Sequence, residues 1–267
     1  MSDYEKLKRL NDILLSLTSA VVAFSGGVDS TFLAAAAQRV LKHKVILVTA
    51  CSDTSPVGEI LAAESWAAAQ GFQLVLLNTG ELNNKEFTAN SAERCYHCKK
   101  ERFTSLTDWA KEHGYAWVIE GSNLDDLADY RPGMKAIKEL EKVRSPLLEA
   151  GLTKAEIRAL SKAWGLITWN KPSAACLVSR LAYGMPITSQ ILKQVDLAET
   201  LVRKFCPGQV RVRHHGNLAR VEVEEISKIV QPGIAQAITQ GLKELGFTYV
   251  TVDMTGYRTG SMNDVLS

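Results

Sequence analysis

The sequence has almost no net charge of either sign. Its 31 Lys and Arg stand against 29 Asp and Glu, leaving +2 over 267 residues. No strong field therefore recruits nucleic acid or an acidic membrane nonspecifically, although a local tRNA-binding patch stays open. No stretch approaches the roughly 20 apolar residues that span a bilayer. Residues 1–10 are charged and hold no apolar h-region, so no signal peptide and a cytoplasmic location are expected. Cysteine is scarce and odd in number, five in all, which argues against structural disulfides in a reducing compartment. Internal repeats and low-complexity segments are absent from the sequence.

What is present is 46% hydrophobic and 22% charged, enough to bury a core in one large domain or two small ones. Helical spacing of Leu7, Leu10, Ile13, Leu14 and Leu17 predicts a helix over 3–17. Apolar runs predict strands at 20–24, 44–49, 73–77 and 115–120, with helices at 30–41, 57–70 and 98–113 between them. Residues 78–94 read as a loop or short helix. Residues 121–146 read as a long charged loop, and such loops are usually functional. Thr153 and Glu156 form a capping box for a helix over 153–164. The alternation predicts an α/β fold: a parallel, Rossmann-like sheet with helices on both faces. After about residue 169 the texture changes to a helix at 187–206, strands at 210–213 and 219–223, a helix at 232–245 and a strand at 249–252. We therefore expect two domains, an α/β domain at 1–169 and a smaller α+β domain at 170–267.

The hexapeptide Ser25-Gly26-Gly27-Val28-Asp29-Ser30 sits between a buried strand and a helix. Backbone N–H groups and the positive helix end converge there on one spot, a ready anion site. It is not a Walker A loop, since no Lys-Ser/Thr follows a second glycine, nor the spaced dinucleotide glycine pattern. It resembles the SGGxDS signature of the PP-loop ATP pyrophosphatase superfamily. That resemblance implies an adenine nucleotide alpha hydrolase-like fold and cleavage of ATP between the α- and β-phosphates. It makes Ser25, Gly26, Gly27, Asp29 and Ser30 ATP-binding residues, with Asp29 organising pyrophosphate and Mg2+.

Cys95 and Cys98 stand at the start of a predicted helix, where thiol pKa falls, with Arg94, Lys99 and Lys100 adding positive potential. Cys176 lies in the motif KPSAACLVSR, residues 171–180. Three thiolates suit a [4Fe–4S] cluster with one open iron that can hold an extra sulfide. Unrelated surface thiols and a zinc site completed by His97 remain alternatives, though zinc normally takes four protein ligands. Cys51 and Cys206 read as structural.

Four stretches together resemble one family: SGGVDS at Ser25, GSNLDDLADYRPG over 121–133, KPSAACLVSR over 171–180, and TGYRTGSMN over 255–263. They are similar to the ATP-dependent sulfur transferases of the LarE family, which build the nickel-pincer nucleotide cofactor. The resemblance covers nearly the whole chain. It implies adenylation of the carboxylates of pyridinium-3,5-biscarboxylic acid mononucleotide and their conversion to thiocarboxylates. In some members a single cysteine, in the Cys176 region, gives up its own sulfur. Cys95 and Cys98 depart from that pattern and match three-cysteine members, where Cys95, Cys98 and Cys176 would ligate the cluster. A sulfide or other sulfur donor and a homo-oligomer are likewise implied, with no nucleic-acid or membrane partner.

Arg211 and Arg213 share one face of a predicted strand, and a guanidinium suits a bidentate phosphate contact. A solvated strand face is the plainer reading of the pair, but the family favours phosphate. Arg180, which follows the cysteine motif, is a further candidate cation for the substrate, and the family places Glu199 and Glu222 near that site, although exposed carboxylates are an equal alternative for the two Glu. Gly121 is expected against the nucleotide, with Asp126 and Arg131 organising substrate or metal. Two competing readings are tRNA thiolation by the same chemistry and an ATP-binding sensor without turnover.

Overall fold

Alternating apolar residues on short strands, each followed by a helix, build the first sheet in a computed structural model that describes residues 2–127 and 132–266. Its strands are β1 Ala20–Ala23, β2 Val45–Cys51, β3 Leu74–Asn78, β4 Trp117–Ile119 and β5 Val143–Arg144. They run parallel in the order β3-β2-β1-β4-β5. Among the described residues, the helices are α1 Asp3–Ser16, α2 Val28–Leu41, α3 Val57–Ala69, α4 Lys85–Thr88, α5 Arg94–Glu112, α6 Pro132–Lys138, α7 Pro146–Glu149, α8 Lys154–Ala163, α9 Ser189–Arg203, α10 Ile226–Ile229 and α11 Pro232–Glu244.

The chain divides into two compact units. The first comprises Met1–Ser52, Val57–Glu81 and Cys95–Ala174, and the second Asp53–Pro56, Leu82–Arg94 and Ala175–Ser267. In the first, both faces of the sheet are covered, so both alternate sets of strand residues are apolar. Ala20, Val22 and Leu47 join Leu10 and Leu14 of α1, Phe32 and Leu33 of α2 and Ile157 of α8 in one cluster. Val21, Ile46, Val48 and Val118 join Phe103, Leu106 and Ala110 of α5 in another. The expected capping box starts α8: Thr153 Oγ1 accepts from the Glu156 amide at 3.3 Å, and the Glu156 carboxylate accepts from the Thr153 amide at 2.8 Å. The segment expected as one long loop contains α6 and β5 and ends where α7 begins. β5 has two residues, too few to show a period.

In the second unit β6 Val210–His215 pairs antiparallel with β7 Leu218–Val223, which pairs parallel with β8 Tyr249–Val252. Val210, Val212, Ala219, Val221 and Val223 pack with Ala198 and Val202 of α9 and Ile238 and Leu242 of α11. On the opposite face of β6 and β7, Arg211, Arg213 and Glu222 are buried and Arg220 is half-buried.

His214 is 5% exposed, packs on Phe247 at 5.2 Å between ring centroids, and places Nε2 3.0 Å from Gln194 Oε1. Burial, helped by the neighbouring His215, pulls its pKa below the ordinary histidine range. The unfolded chain titrates near about 6.5 and so binds more protons than the folded one just below that pH. The His214 contribution to stability is therefore complete above that value and is lost as pH falls through the depressed folded pKa. Urea unfolding at about pH 7.5 and about pH 5.5 should show a lower midpoint at the acid value. His214→Gln should flatten the slope; an unchanged slope would remove His214 as its source.

Candidate active site

β1 is continued by Phe24, whose amide donates to Val48 O at 2.9 Å, and the chain then turns sharply into α2. Gly26 makes that turn at φ +67°, and a Cβ there would lie 3.1 Å from the Ala63 Cβ. Gly27 precedes α2 without a side-chain cap, which leaves the first-turn amides available to an anion. Ser30 Oγ holds the loop closed. It accepts from the Ser25 amide at 3.3 Å, donates to Gly27 O at 3.2 Å, and lies 3.1 Å from Ser25 Oγ.

Strand order reverses between β1 and β4, and ligands of such sheets bind in the crevice outside the strand ends there. Gly121 follows β4 at that crevice. A Cβ on it would meet Asp29 Cβ at 3.1 Å and the Ser30 amide nitrogen at 3.2 Å, so only glycine fits without displacing the loop. Asp29 binds the Lys154 ammonium through Oδ2, while its Oδ1 is buried with no partner among the described residues. Burial pushes the Asp29 carboxyl above its usual range; Asp126 adds to this and Lys154 opposes it. Asp126 accepts from the Asn123 amide at 2.9 Å. Lys171 donates to Gly26 O at 3.1 Å and to Glu59 at 2.7 Å, a tether on the glycine loop. An orphaned carboxylate oxygen and a cradle that a Cβ would fill both fit a magnesium-bound polyphosphate.

In the second unit the charged face of β6 and β7 forms a network. Glu199 of α9 is fully buried and accepts two bonds from Arg180, at 2.8 and 3.0 Å, one from Arg203 at 2.6 Å and one from the Val212 amide at 3.2 Å. Burial pushes its carboxyl up, but Arg180, with Arg203 and Arg211, more than offsets this and holds it below the usual carboxylate range. Arg180 Nη1 donates to the carbonyls of Ala175 and Cys176 at 2.7 and 2.9 Å, which fixes the backbone at Cys176. Glu222 accepts from Arg213 at 2.6 Å, Arg220 at 3.1 Å and Ser261 at 2.7 Å. Both glutamates are thus fully buried, where exposed surface carboxylates were the alternative.

Arg211 lies opposite Glu222 in the strand register, yet among the described residues it has no ion pair. Its Nη1 donates to Val210 O at 2.8 Å, and its guanidinium lies 5.2 Å from the Tyr257 ring centroid. Burial, then the charge of Arg180, pulls its pKa down. A buried guanidinium that no carboxylate contacts directly is a seat for an anion.

Cys95 and Cys98 lie in the first turns of α5 in the first unit, Cys95 exposed and Cys98 half-buried; Cys176 is exposed in the second unit. Cys51 and Cys206 are buried, as expected of structural thiols. Among the described residues, no group of three His, Cys, Asp or Glu side chains is gathered to hold a metal. Arg131, with Asp129 and Tyr130 of the same motif, lies outside the described residues. No helix among the described residues is long and apolar enough to cross a membrane.

Two lysines were missing from the expected site. Lys171 stands inside a motif read from the sequence, so a signal for it existed. Lys154 has none, since its partner lies 125 residues away.

The family described as asparagine synthase matches residues 14–109, which include the glycine loop. An uncharacterized protein of Synechocystis sp. is 42% identical over 98% of both chains. An uncharacterized protein of Methanocaldococcus jannaschii is 29% identical over 90% of both. The pyridinium-3,5-bisthiocarboxylic acid mononucleotide synthase of Lactiplantibacillus plantarum is 37% identical over 95% of this chain and 92% of its own. With an ATP-binding PP-loop and a match that runs through both units, the chain belongs to the family of that synthase, the LarE family of PP-loop enzymes.

Proposed function

We propose that the chain is an AMP- and pyrophosphate-forming sulfur transferase. Its substrate is pyridinium-3,5-biscarboxylic acid mononucleotide, whose carboxylates become thiocarboxylates for the nickel-pincer nucleotide. The observation that carries the reading is Arg211, a buried guanidinium with no ion pair among the described residues, in the unit that also holds Cys176. It suits the phosphate of a mononucleotide. Arg180, Arg213, Glu199 and Glu222 hold the surrounding frame, and Arg131 is assigned to the substrate from its motif alone.

A carboxylate is a poor electrophile because its leaving group would be oxide. Adenylation supplies a good one, and a sulfur nucleophile then displaces AMP. Ser25, Gly26, Gly27, Ser30 and Gly121 would cradle the ATP, and Asp29 with Asp126 would hold Mg2+, which would neutralise phosphate charge. Residues 1–169 would carry activation, and residues 170–267 would bind the substrate and receive the sulfur. Helix-end position and basic neighbours favour the thiolates of Cys95 and Cys98. We assign them, with Cys176, to a [4Fe–4S] cluster that would carry the donated sulfide. No three-ligand group is formed among the described residues.

Given ATP, Mg2+, sulfide and the pyridinium nucleotide under anaerobic conditions, the protein should release AMP and pyrophosphate while the nucleotide exchanges oxygen for sulfur. Thiolation of tRNA and not of this nucleotide would sink the reading. Iron and sulfide analysis after reconstitution tests the cluster separately: no cluster absorption would remove it. Loss from Cys176 of one sulfur and two hydrogens during turnover would establish that cysteine as the donor instead.

A further inference from the structure

The motif TGYRTGSMN, residues 255–263, follows β8 and folds back on the charged face of β6 and β7. Ser261 Oγ donates to Glu222 at 2.7 Å, and Arg220 Nη2 donates to Met262 Sδ at 3.5 Å. The Tyr257 amide donates to Val223 O at 3.0 Å, just past the end of β7 pairing. Gly256 makes the turn at φ +72°, and a Cβ on it would lie 2.8 Å from Val223 O, so only glycine lets the chain come this close. The turn delivers the Tyr257 ring to the Arg211 guanidinium, 5.2 Å from the ring centroid. The ring is half-buried. A tyrosine placed for its hydroxyl forms a short hydrogen bond with it; the Tyr257 hydroxyl lies 3.5 Å from Thr259 Oγ1, at the limit of such a bond. What the fold positions is therefore the ring.

We propose that Tyr257 is a specificity-determining residue that stacks on the charged pyridinium ring of the substrate while Arg211 holds the phosphate. The inference rests on the substrate proposed above. A guanidinium seats an anion, and the face of an aromatic ring attracts a cation. A pyridinium mononucleotide carries both groups in one molecule, separated by a ribose. Its phosphate neutralises Arg211, so the Tyr257 ring does not face two uncompensated cations. Adenylation and sulfur transfer change only the carboxylates, and the ring stays a cation throughout. The contact is therefore equally strong in bound substrate and transition state, and it acts on KM rather than kcat. Stacking also suits a reaction at two carboxylates. A half-turn about the glycosidic bond exchanges them and leaves the ring plane and the phosphate where they were.

The test titrates wild type, Tyr257→Leu and Tyr257→Phe by calorimetry with the pyridinium nucleotide, its dihydropyridine reduction product and ribose 5-phosphate. The dihydropyridine keeps the phosphate and the carboxylates but has a neutral, non-aromatic ring. Wild type should bind the pyridinium form about 10-fold more tightly than the dihydropyridine. Tyr257→Leu should lose that preference and still bind ribose 5-phosphate within about twofold of wild type, while Tyr257→Phe should keep the preference. In turnover, Tyr257→Leu should raise KM about 10-fold and leave kcat within about threefold. Equal affinity of wild type for the two nucleotides would overturn the assignment without any variant. So would a preference that survives in Tyr257→Leu. A parallel loss of ribose 5-phosphate affinity in that variant would also overturn it, since Tyr257 would then only prop Arg211. If wild type binds neither nucleotide, the substrate reading fails and takes the inference with it, an outcome distinct from failure at Tyr257.

Discussion

Arg180→Met is expected to destabilise the second unit by about 3–5 kcal/mol, the usual cost of stripping the partner from a buried charge. Glu199 is fully buried and takes two of its four hydrogen bonds from Arg180. The surviving partners are Arg203, whose side chain is 40% exposed, and one backbone amide. Burial, which raises the Glu199 carboxyl, is then no longer outweighed. In wild type the depressed folded pKa means that the Glu199 contribution is present above the unfolded value and is lost as pH falls through the folded one. In the variant the folded pKa rises, so the deficit is largest near neutral pH and shrinks on acidification, as Glu199 takes up a proton. The five tryptophans all lie in the first unit, so their fluorescence is the wrong probe. Hydrogen exchange of the β6 and β7 amides is the right one. Arg180→Met with Glu199→Met should recover part of the loss, because no unpaired carboxylate remains. Unchanged exchange in the single variant would mean that Arg203 alone can hold Glu199. Sulfur transfer should fall with it, since Arg180 also binds the carbonyls of Ala175 and Cys176.

Features with a local cause could be read from the chain. The glycine loop, the Thr153 cap and the alternation of strands and helices each depend on neighbours a few residues away. Period two placed Arg211 and Arg213 on one face of β6, and the strand pairing agrees. Features with a distant cause could not be read. Whether Glu199 and Glu222 face water or a guanidinium is decided by packing between α9, the Leu177–Arg180 turn and the β6–β7 hairpin. Arg213 was expected on phosphate; its Nη2 is bonded to Glu222, whereas Arg211 beside it has no ion pair among the described residues. The contribution of Asp53–Pro56 and Leu82–Arg94 to the second unit is likewise invisible in composition, because chain order does not announce which compact unit a loop joins. Lys154 lies in an ordinary helix start, and only the fold brings it to Asp29.

Asp29→Asn should separate activity from stability. The substitution keeps the shape of the side chain and removes its charge. Asp29 meets the Lys154 ammonium, the first turn of α2 and the close backbone of Gly121, so an uncharged amide there cannot organise a magnesium-bound pyrophosphate. Pyrophosphate release is expected to fall about 1,000-fold, the scale seen when a preorganised electrostatic contact is lost. Stability should move the other way. Burial raises the Asp29 carboxyl, so the folded protein holds its proton to a higher pH than the unfolded chain does. Keeping this carboxylate ionised at neutral pH therefore works against folding, and the strain eases as pH falls through the raised folded pKa toward the unfolded one. The asparagine variant has no such charge to bury, so its melting temperature at neutral pH should equal or exceed that of wild type, with a flatter dependence on pH. Pyrophosphate release within about tenfold of wild type would dismiss Asp29 from the reaction. A melting temperature well below wild type would mean that the Lys154 pair outweighs the desolvation of the carboxylate. Loss of rate with unimpaired folding is the pattern of a residue kept for chemistry at some expense of stability.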